Sequence, residues 1–223
     1  STNQFDGSAA SLALLEASKG WLVLEPNYRG STGYGDQFLN EIRYYPLSLP
    51  GRDILSGIER LIKDGIADPN SLAIGGYSYG GFLTNWLITQ TTRFKAALTG
   101  AGSIEHVSTW GTMDLPASIS YLFGGFPWEV PYIYQAESPI YHLAKVRTPT
   151  HIITGTDDTQ IPADQNYILE RVLHYLGVPV KLLLFPNEGH SPWINPWHLK
   201  IKVREELKWL QTYGRQSLTT TII

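Results

Sequence analysis

Short apolar runs alternate with amphipathic stretches along most of this chain. Residues 21–26 (Trp-Leu-Val-Leu-Glu-Pro) read as a buried strand, as do residues 71–75, 96–99, 151–154 and 180–185. Continuous apolar runs closed by Gly and Pro fit a parallel sheet covered on both faces. Helical spacing lies between them. Ile54, Leu55, Ile58, Leu61 and Ile62 share one face, ended by Gly65; Leu169, Val172, Leu173 and Leu176 share another, closed by Gly177. Asn195 is placed to cap a last helix with Pro196 in its first turn, a face of Leu199, Val203, Leu207 and Leu210, and Gly214 at its end. Further helices are predicted over residues 82–90 and, before Gly20, over about 8–18. Strand–helix alternation of this kind predicts an α/β architecture with right-handed crossovers.

Residues 105–143 break the pattern. The stretch carries Trp110, Tyr121, Phe123, Phe126, Trp128, Tyr132, Tyr134 and Tyr141, and it is longer than an ordinary connection. It reads equally as a packed excursion with its own small core and as a wall over an active site.

A length of 223 residues suits one domain spanning 1–223, and no repeat or linker divides it. A net charge of −3 gives no reason to expect nucleic acid or an anionic membrane as partner. No apolar run is long enough to span a bilayer. Residues 1–7 lack the basic-then-apolar pattern of a signal peptide, and there is no cysteine for a disulfide scaffold; both favour the cytoplasm. The six histidines, His106, His142, His151, His174, His190 and His198, show no spacing that would build a zinc site, so no metal or cofactor is expected.

The chemistry concentrates at Gly76-Tyr77-Ser78-Tyr79-Gly80-Gly81, between a predicted strand and a predicted helix. A G-x-S-x-G match arises often by chance, and its meaning comes from that context. There the serine sits on a strained turn, and the helix N-terminus brings free N–H groups beside its hydroxyl. Asp157 and Asp158 follow one predicted strand and His190 follows the last, so all three groups fall at the carboxyl ends of strands, as in open α/β sheets. Serine needs an imidazole to take its proton, and the imidazole needs a carboxylate to fix its tautomer. His174 and His198 lie on predicted helices, with His198 expected to be exposed; His151 begins a strand; His106 and His142 lie in the aromatic excursion. For those five an ordinary structural role is the better reading.

These residues resemble the catalytic domain of the prolyl oligopeptidase family of serine peptidases, nearest its acylaminoacyl-peptidase and dipeptidyl-peptidase-like branch. The resemblance rests on Asn27-Tyr28-Arg29-Gly30-Ser31-Thr32-Gly33-Tyr34-Gly35, the serine segment, Phe123-Gly124-Gly125-Phe126-Pro127-Trp128-Glu129 and Ser138-Pro139-Ile140. It continues through Gly155-Thr156-Asp157-Asp158-Thr159-Gln160-Ile161-Pro162 and Phe185-Pro186-Asn187-Glu188-Gly189-His190. It implies an α/β-hydrolase fold, a mostly parallel sheet with helices on both faces. It implies Ser78 as nucleophile, Asp158 rather than Asp157 as the carboxylate, His190 as base and Glu188 as a structural residue. The N–H of Tyr79 becomes an oxyanion donor. Tyr77, Trp110, Tyr121 and Phe123 are expected to line an apolar substrate pocket, and short peptides are the implied substrates.

One departure from the family pattern has consequences. The His-Gly-Gly-Pro-like segment, its strand and the usual preceding β-propeller do not occur in these 223 residues. The expectation is a part of a longer chain, with a slot between residues 21–26 and 71–75 that an upstream strand or another copy of the chain would fill. One of two oxyanion donors would go with that segment, and restoring it is expected to raise the rate by about 10²–10³. Three readings stay open: a peptidase, a carboxylic-ester hydrolase with the same triad, and a catalytically impaired piece.

Overall fold

The computed structural model describes residues 12–190 and 193–214. The elements run α1 (Leu12–Ser18), α2 (Asp36–Asn40), α3 (Ser48–Lys63), β1 (Leu72–Tyr77), α4 (Tyr79–Gln90) and β2 (Phe94–Gly100). Then come α5 (His106–Thr112), α6 (Pro116–Phe123), α7 (Pro131–Glu137) and a 3₁₀ segment (Pro139–Lys145). The chain continues with β3 (Thr150–Gly155), α8 (Asp164–Tyr175), β4 (Val180–Phe185) and α9 (Pro196–Tyr213). The beginning of the predicted early helix, residues 8–11, lies outside the described residues, as do residues 1–7.

The four strands form one parallel sheet in the order β1-β2-β3-β4. Side chains alternate across it. On one face Ala97 and Ile152 pack with Ile88 of α4 and with Leu169 and Leu173 of α8. On the other, Ala96 and Leu98 pack with Leu210 of α9 and with Trp21 and Trp209. Helices thus cover both faces, which is why the strands carry no polar alternation. Among the described residues no helix is long and apolar enough to cross a membrane.

Helix ends fall where the punctuation predicts. Gly65 and Gly177 take left-handed φ of 71° and 67° just past α3 and α8, and the Asn195 side chain accepts from the Trp197 N–H at 2.9 Å. The buried stripe of α9 differs from expectation. Leu199 is exposed, and Lys202, Glu206 and Leu210 face inward. An i,i+4 ion pair of 2.8 Å between Lys202 and Glu206 lets two charged positions take the inner stripe. Burial still lifts the Glu206 carboxyl above its ordinary range, against the pull of Lys202.

The excursion becomes three short helices and the 3₁₀ segment. Its Ile119, Phe123, Ile133 and Tyr134 join Phe82, Leu83 and Trp86 of α4 in one cluster, so its core is continuous with that of the sheet layer. Tyr121, Phe126, Trp128, Tyr132 and Tyr141 are exposed, and Trp110 is half-buried against the cluster. Phe126 and Trp128 stack at 4.9 Å and 5°, with Trp110 edge-on to both.

Residues 21–26 are a correction. No strand forms there, because a strand requires a ladder partner and this run has none among the described residues. A cavity of about 1060 Å³ is lined by this run and by β1, with Ile54, Ile58, Leu83 and Ser78 also among its lining residues. Leu22 and Leu24 remain exposed.

Candidate active site

β1 delivers Tyr77 to the sheet edge, and the chain turns there into α4. Ser78, at the turn, holds φ 56° and ψ −121°, a conformation that costs a non-glycine residue about 1–3 kcal/mol. Contacts on both sides hold it. The Ser78 N–H donates to the Gly100 carbonyl at 2.9 Å, and its own carbonyl accepts from the Phe82 N–H at 3.0 Å. Missing side chains permit the tight turn. A Cβ on Gly76 would lie 2.3 Å from the Gly80 carbonyl oxygen, and one on Gly81 would lie 2.5 Å from that of Gly100. A Cβ on Gly80 would meet nothing, so the close approach is made at Gly76 and Gly81 rather than symmetrically about the serine.

His190 follows β4, and its ring spans two partners. Nε2 stands 2.8 Å from Ser78 Oγ, and Nδ1 stands 2.8 Å from Asp158 Oδ2. Asp158 follows β3 and is buried. Its other oxygen accepts the Gln160 and Ile161 N–H groups at 3.0 and 2.8 Å, so neither rotation nor solvent competes for the face turned to His190. Asp157 points outward. Its side chain accepts from the Thr156 hydroxyl, while its N–H donates to the Glu188 carbonyl. With a carboxylate at Nδ1, the ring keeps its proton there and turns the Nε2 lone pair to the serine hydroxyl. Such a line can carry a proton off the hydroxyl as it attacks a carbonyl.

The loops that carry the carboxylate and the imidazole are tied together at their bases. Thr156 N–H donates to the Phe185 carbonyl at 3.0 Å, and Asn187 N–H to the Thr156 hydroxyl at 3.0 Å. Glu188 is buried under the histidine loop. It accepts the Ile194 and Asn195 N–H groups at 2.7 and 3.0 Å and meets His198 Nδ1 at 2.6 Å. Burial works against its charge, but these hydrogen bonds prevail and hold the carboxyl below the ordinary range. His198 is therefore partly buried and engaged, not exposed as its helical position suggests.

Tyr79 opens α4, where a first-turn N–H has no intrahelical acceptor, and no other described group takes it. Tyr79 is half-buried and donates its hydroxyl to the Pro46 carbonyl. Of the residues expected to line a substrate pocket, Tyr77 alone contacts the Ser78–His190–Asp158 line directly, at His190. Trp110 is half-buried and donates its indole N–H to Ser120; Tyr121 is exposed beneath the Arg43 guanidinium and donates to Asn40. Phe123 is a correction. At 1% exposure it is a core residue, stacked on Tyr134 at 4.5 Å with His106 edge-on at 4.9 Å. An aromatic at an inward helical position fills the core before it can line a cleft. Trp193 and the hydroxyl of Tyr77 were not legible as parts of this site, because their contacts join residues more than a hundred positions apart.

The sequence model of the prolyl oligopeptidase family matches residues 4–216. The acylamino-acid-releasing enzyme of Arabidopsis thaliana is 36% identical over 183 residues, covering 78% of this chain and 24% of that protein. An acylaminoacyl peptidase of Pyrococcus horikoshii superposes with a TM-score of 0.81 at 27% identity, over 86% of this chain and 32% of that one. An acylaminoacyl peptidase solved in complex with Z-Gly-Gly-Phe-chloromethyl ketone superposes at 0.80 and 28% identity, over 85% and 32%. The chain thus spans about a quarter to a third of the length of these relatives. A family match along nearly the whole chain, on a sheet of the same form, means that this chain belongs to the prolyl oligopeptidase family.

Proposed function

We propose that this chain carries the hydrolytic centre of a serine peptidase acting on short peptides, by acyl transfer to Ser78. The observation that carries the reading is the unbroken line from Ser78 Oγ through His190 to Asp158, two contacts of 2.8 Å each, beginning at a strained serine. His190 takes the hydroxyl proton as Oγ adds to the scissile carbonyl, and Asp158 stabilises the imidazolium so formed. The negative oxygen of the tetrahedral intermediate is stabilised by the Tyr79 N–H. His190 then gives its proton to the departing amine, and the C–N bond breaks to leave the acyl-enzyme. Water, activated by the same imidazole, releases the acid and restores the serine.

Peptide substrates are favoured by the relatives: the plant relative is an acylamino-acid-releasing enzyme, and one structural neighbour holds a peptidyl chloromethyl ketone. The fold and the triad alone do not choose between amide and ester. The test compares an N-acetyl-aminoacyl arylamide with its matched ester, on this chain and on the longer protein. Turnover of the arylamide by the longer protein, lost in Ser78→Ala, is the expected result. Ester hydrolysis alone in both would assign the centre to an esterase.

A further inference from the structure

The Tyr77 phenol is a contact that the reaction as written does not use. Its ring leaves β1 directly before the nucleophile and lies over Gly100, where a Cβ would come within 2.4 Å of it. The hydroxyl donates to the backbone carbonyl of His190 at 2.7 Å, and the Trp193 indole packs edge-on against the same ring. The ring centroid lies 5.4 Å from the imidazole and 6.4 Å from the indole. One side chain on the nucleophile's own strand thus bonds the histidine loop at His190 and packs against it at Trp193.

We infer that Tyr77 is a positioning residue for His190: by tying that loop to β1, it sets the distance between the imidazole and Ser78. The inference rests on the roles just proposed for Ser78 and His190. The loop is also held at its base, where Asn187 N–H donates to Thr156 and the Glu188 carbonyl accepts from Asp157, and at its far end, where the Glu188 side chain takes the Ile194 and Asn195 N–H groups. Asp158 holds the imidazole itself, at Nδ1. The phenol bonds the His190 backbone, which none of those contacts reaches. It touches neither the Ser78 hydroxyl nor the imidazole nitrogens, so it acts only through His190. Burial pushes its ionisation up to about 12, so it remains a donor at every pH where a histidine base works.

Tyr77→Phe removes the hydroxyl and keeps the ring. A misplacement of about 1 Å in a reacting group costs on the order of 10²-fold in rate. The expected loss in kcat is therefore about 10–100-fold, with KM changed by less than about twofold, since the phenol does not hold substrate. The decisive readout is a double-mutant cycle with His190→Ala, followed with an activated p-nitrophenyl ester. If Tyr77 works through His190, Tyr77→Phe adds no further loss once the imidazole is gone. Equal losses in both backgrounds, or wild-type kcat in Tyr77→Phe, would overturn the inference. Wild-type protein must first take a fluorophosphonate on Ser78. Failure there would defeat the serine reading itself, and the positioning role with it, whereas labelled wild type with an additive cycle defeats the positioning role alone.

Discussion

Replacing Asp158 by its amide isolates the role of a single proton. Asp158→Asn keeps the shape of a side chain that is buried among Gln160, Ile161 and His190. Its amide oxygen can still accept the two backbone N–H groups. Its NH₂ must then face Nδ1, which can only accept. The ring proton moves to Nε2 and points at Ser78 Oγ, so the imidazole becomes a donor where the reaction needs an acceptor. The fold persists and the base is lost, and the expected fall in kcat is about 10⁴-fold, or roughly 5.5 kcal/mol of barrier. Asp157→Asn is the internal control. Its side chain is exposed and accepts only from its neighbour's hydroxyl, so activity should stay within about twofold of wild type. Both variants are assayed for kcat with one chromogenic ester and for folding by circular dichroism. A folded Asp158→Asn retaining a tenth of the activity, or a larger loss in Asp157→Asn, would refute the assignment.

Acid should weaken the fold through His151. This ring is buried against Trp209 with neither nitrogen hydrogen-bonded to a described group, and burial, reinforced by Lys181, pushes its pKa down to about 4. Between pH of about 6.5 and 4 the unfolded chain binds a proton that the folded chain refuses, so stability falls as pH falls through that window, by up to about 3 kcal/mol. His151→Phe should lose less stability between pH 7 and 4.5 in urea titrations, and an unchanged loss would contradict this; buried His106, also pushed to about 4, supplies the part that remains. The turn gives a matched pair: Gly81→Ala should lower Tm and cost about 10²-fold in rate by forcing α4 off the Gly100 carbonyl, whereas Gly80→Ala should leave Tm nearly unchanged. Equal effects from the two alanines would show that backbone approach does not set the serine's position.

Strands and helix ends could be read from the chain where local chemistry decides them. β1 to β4 follow apolar runs closed by glycine and proline, and Gly65 and Gly177 stop their helices by taking positive φ. That Ser78, Asp158 and His190 would meet was legible because each follows a strand, and a parallel sheet brings the ends of its strands to one edge. Residues 21–26 have the composition of a strand but no ladder neighbour among the described residues, and pairing is a property of two segments. Phe123 and Tyr121 sit two residues apart on one short helix with opposite fates, one in the core and one in solvent; its helical period was hidden in a stretch aromatic on every side. The inward Lys202 and Glu206 defied hydrophobic patterning because each neutralises the other. Tyr77 could be placed beside the serine by sequence alone, but the direction of its hydroxyl depends on where the last strand's loop returns, and only tertiary packing specifies that.

The central claim is that Ser78 is a nucleophile activated by His190. Mass spectrometry after treatment with a fluorophosphonate tests it most directly, since that reagent bonds covalently to a serine oxygen whose proton can be removed. The account predicts one adduct per chain, on Ser78, formed far more slowly in His190→Ala and absent from Ser78→Ala. An adduct on another residue, or equal labelling of folded wild type and His190→Ala, would contradict it.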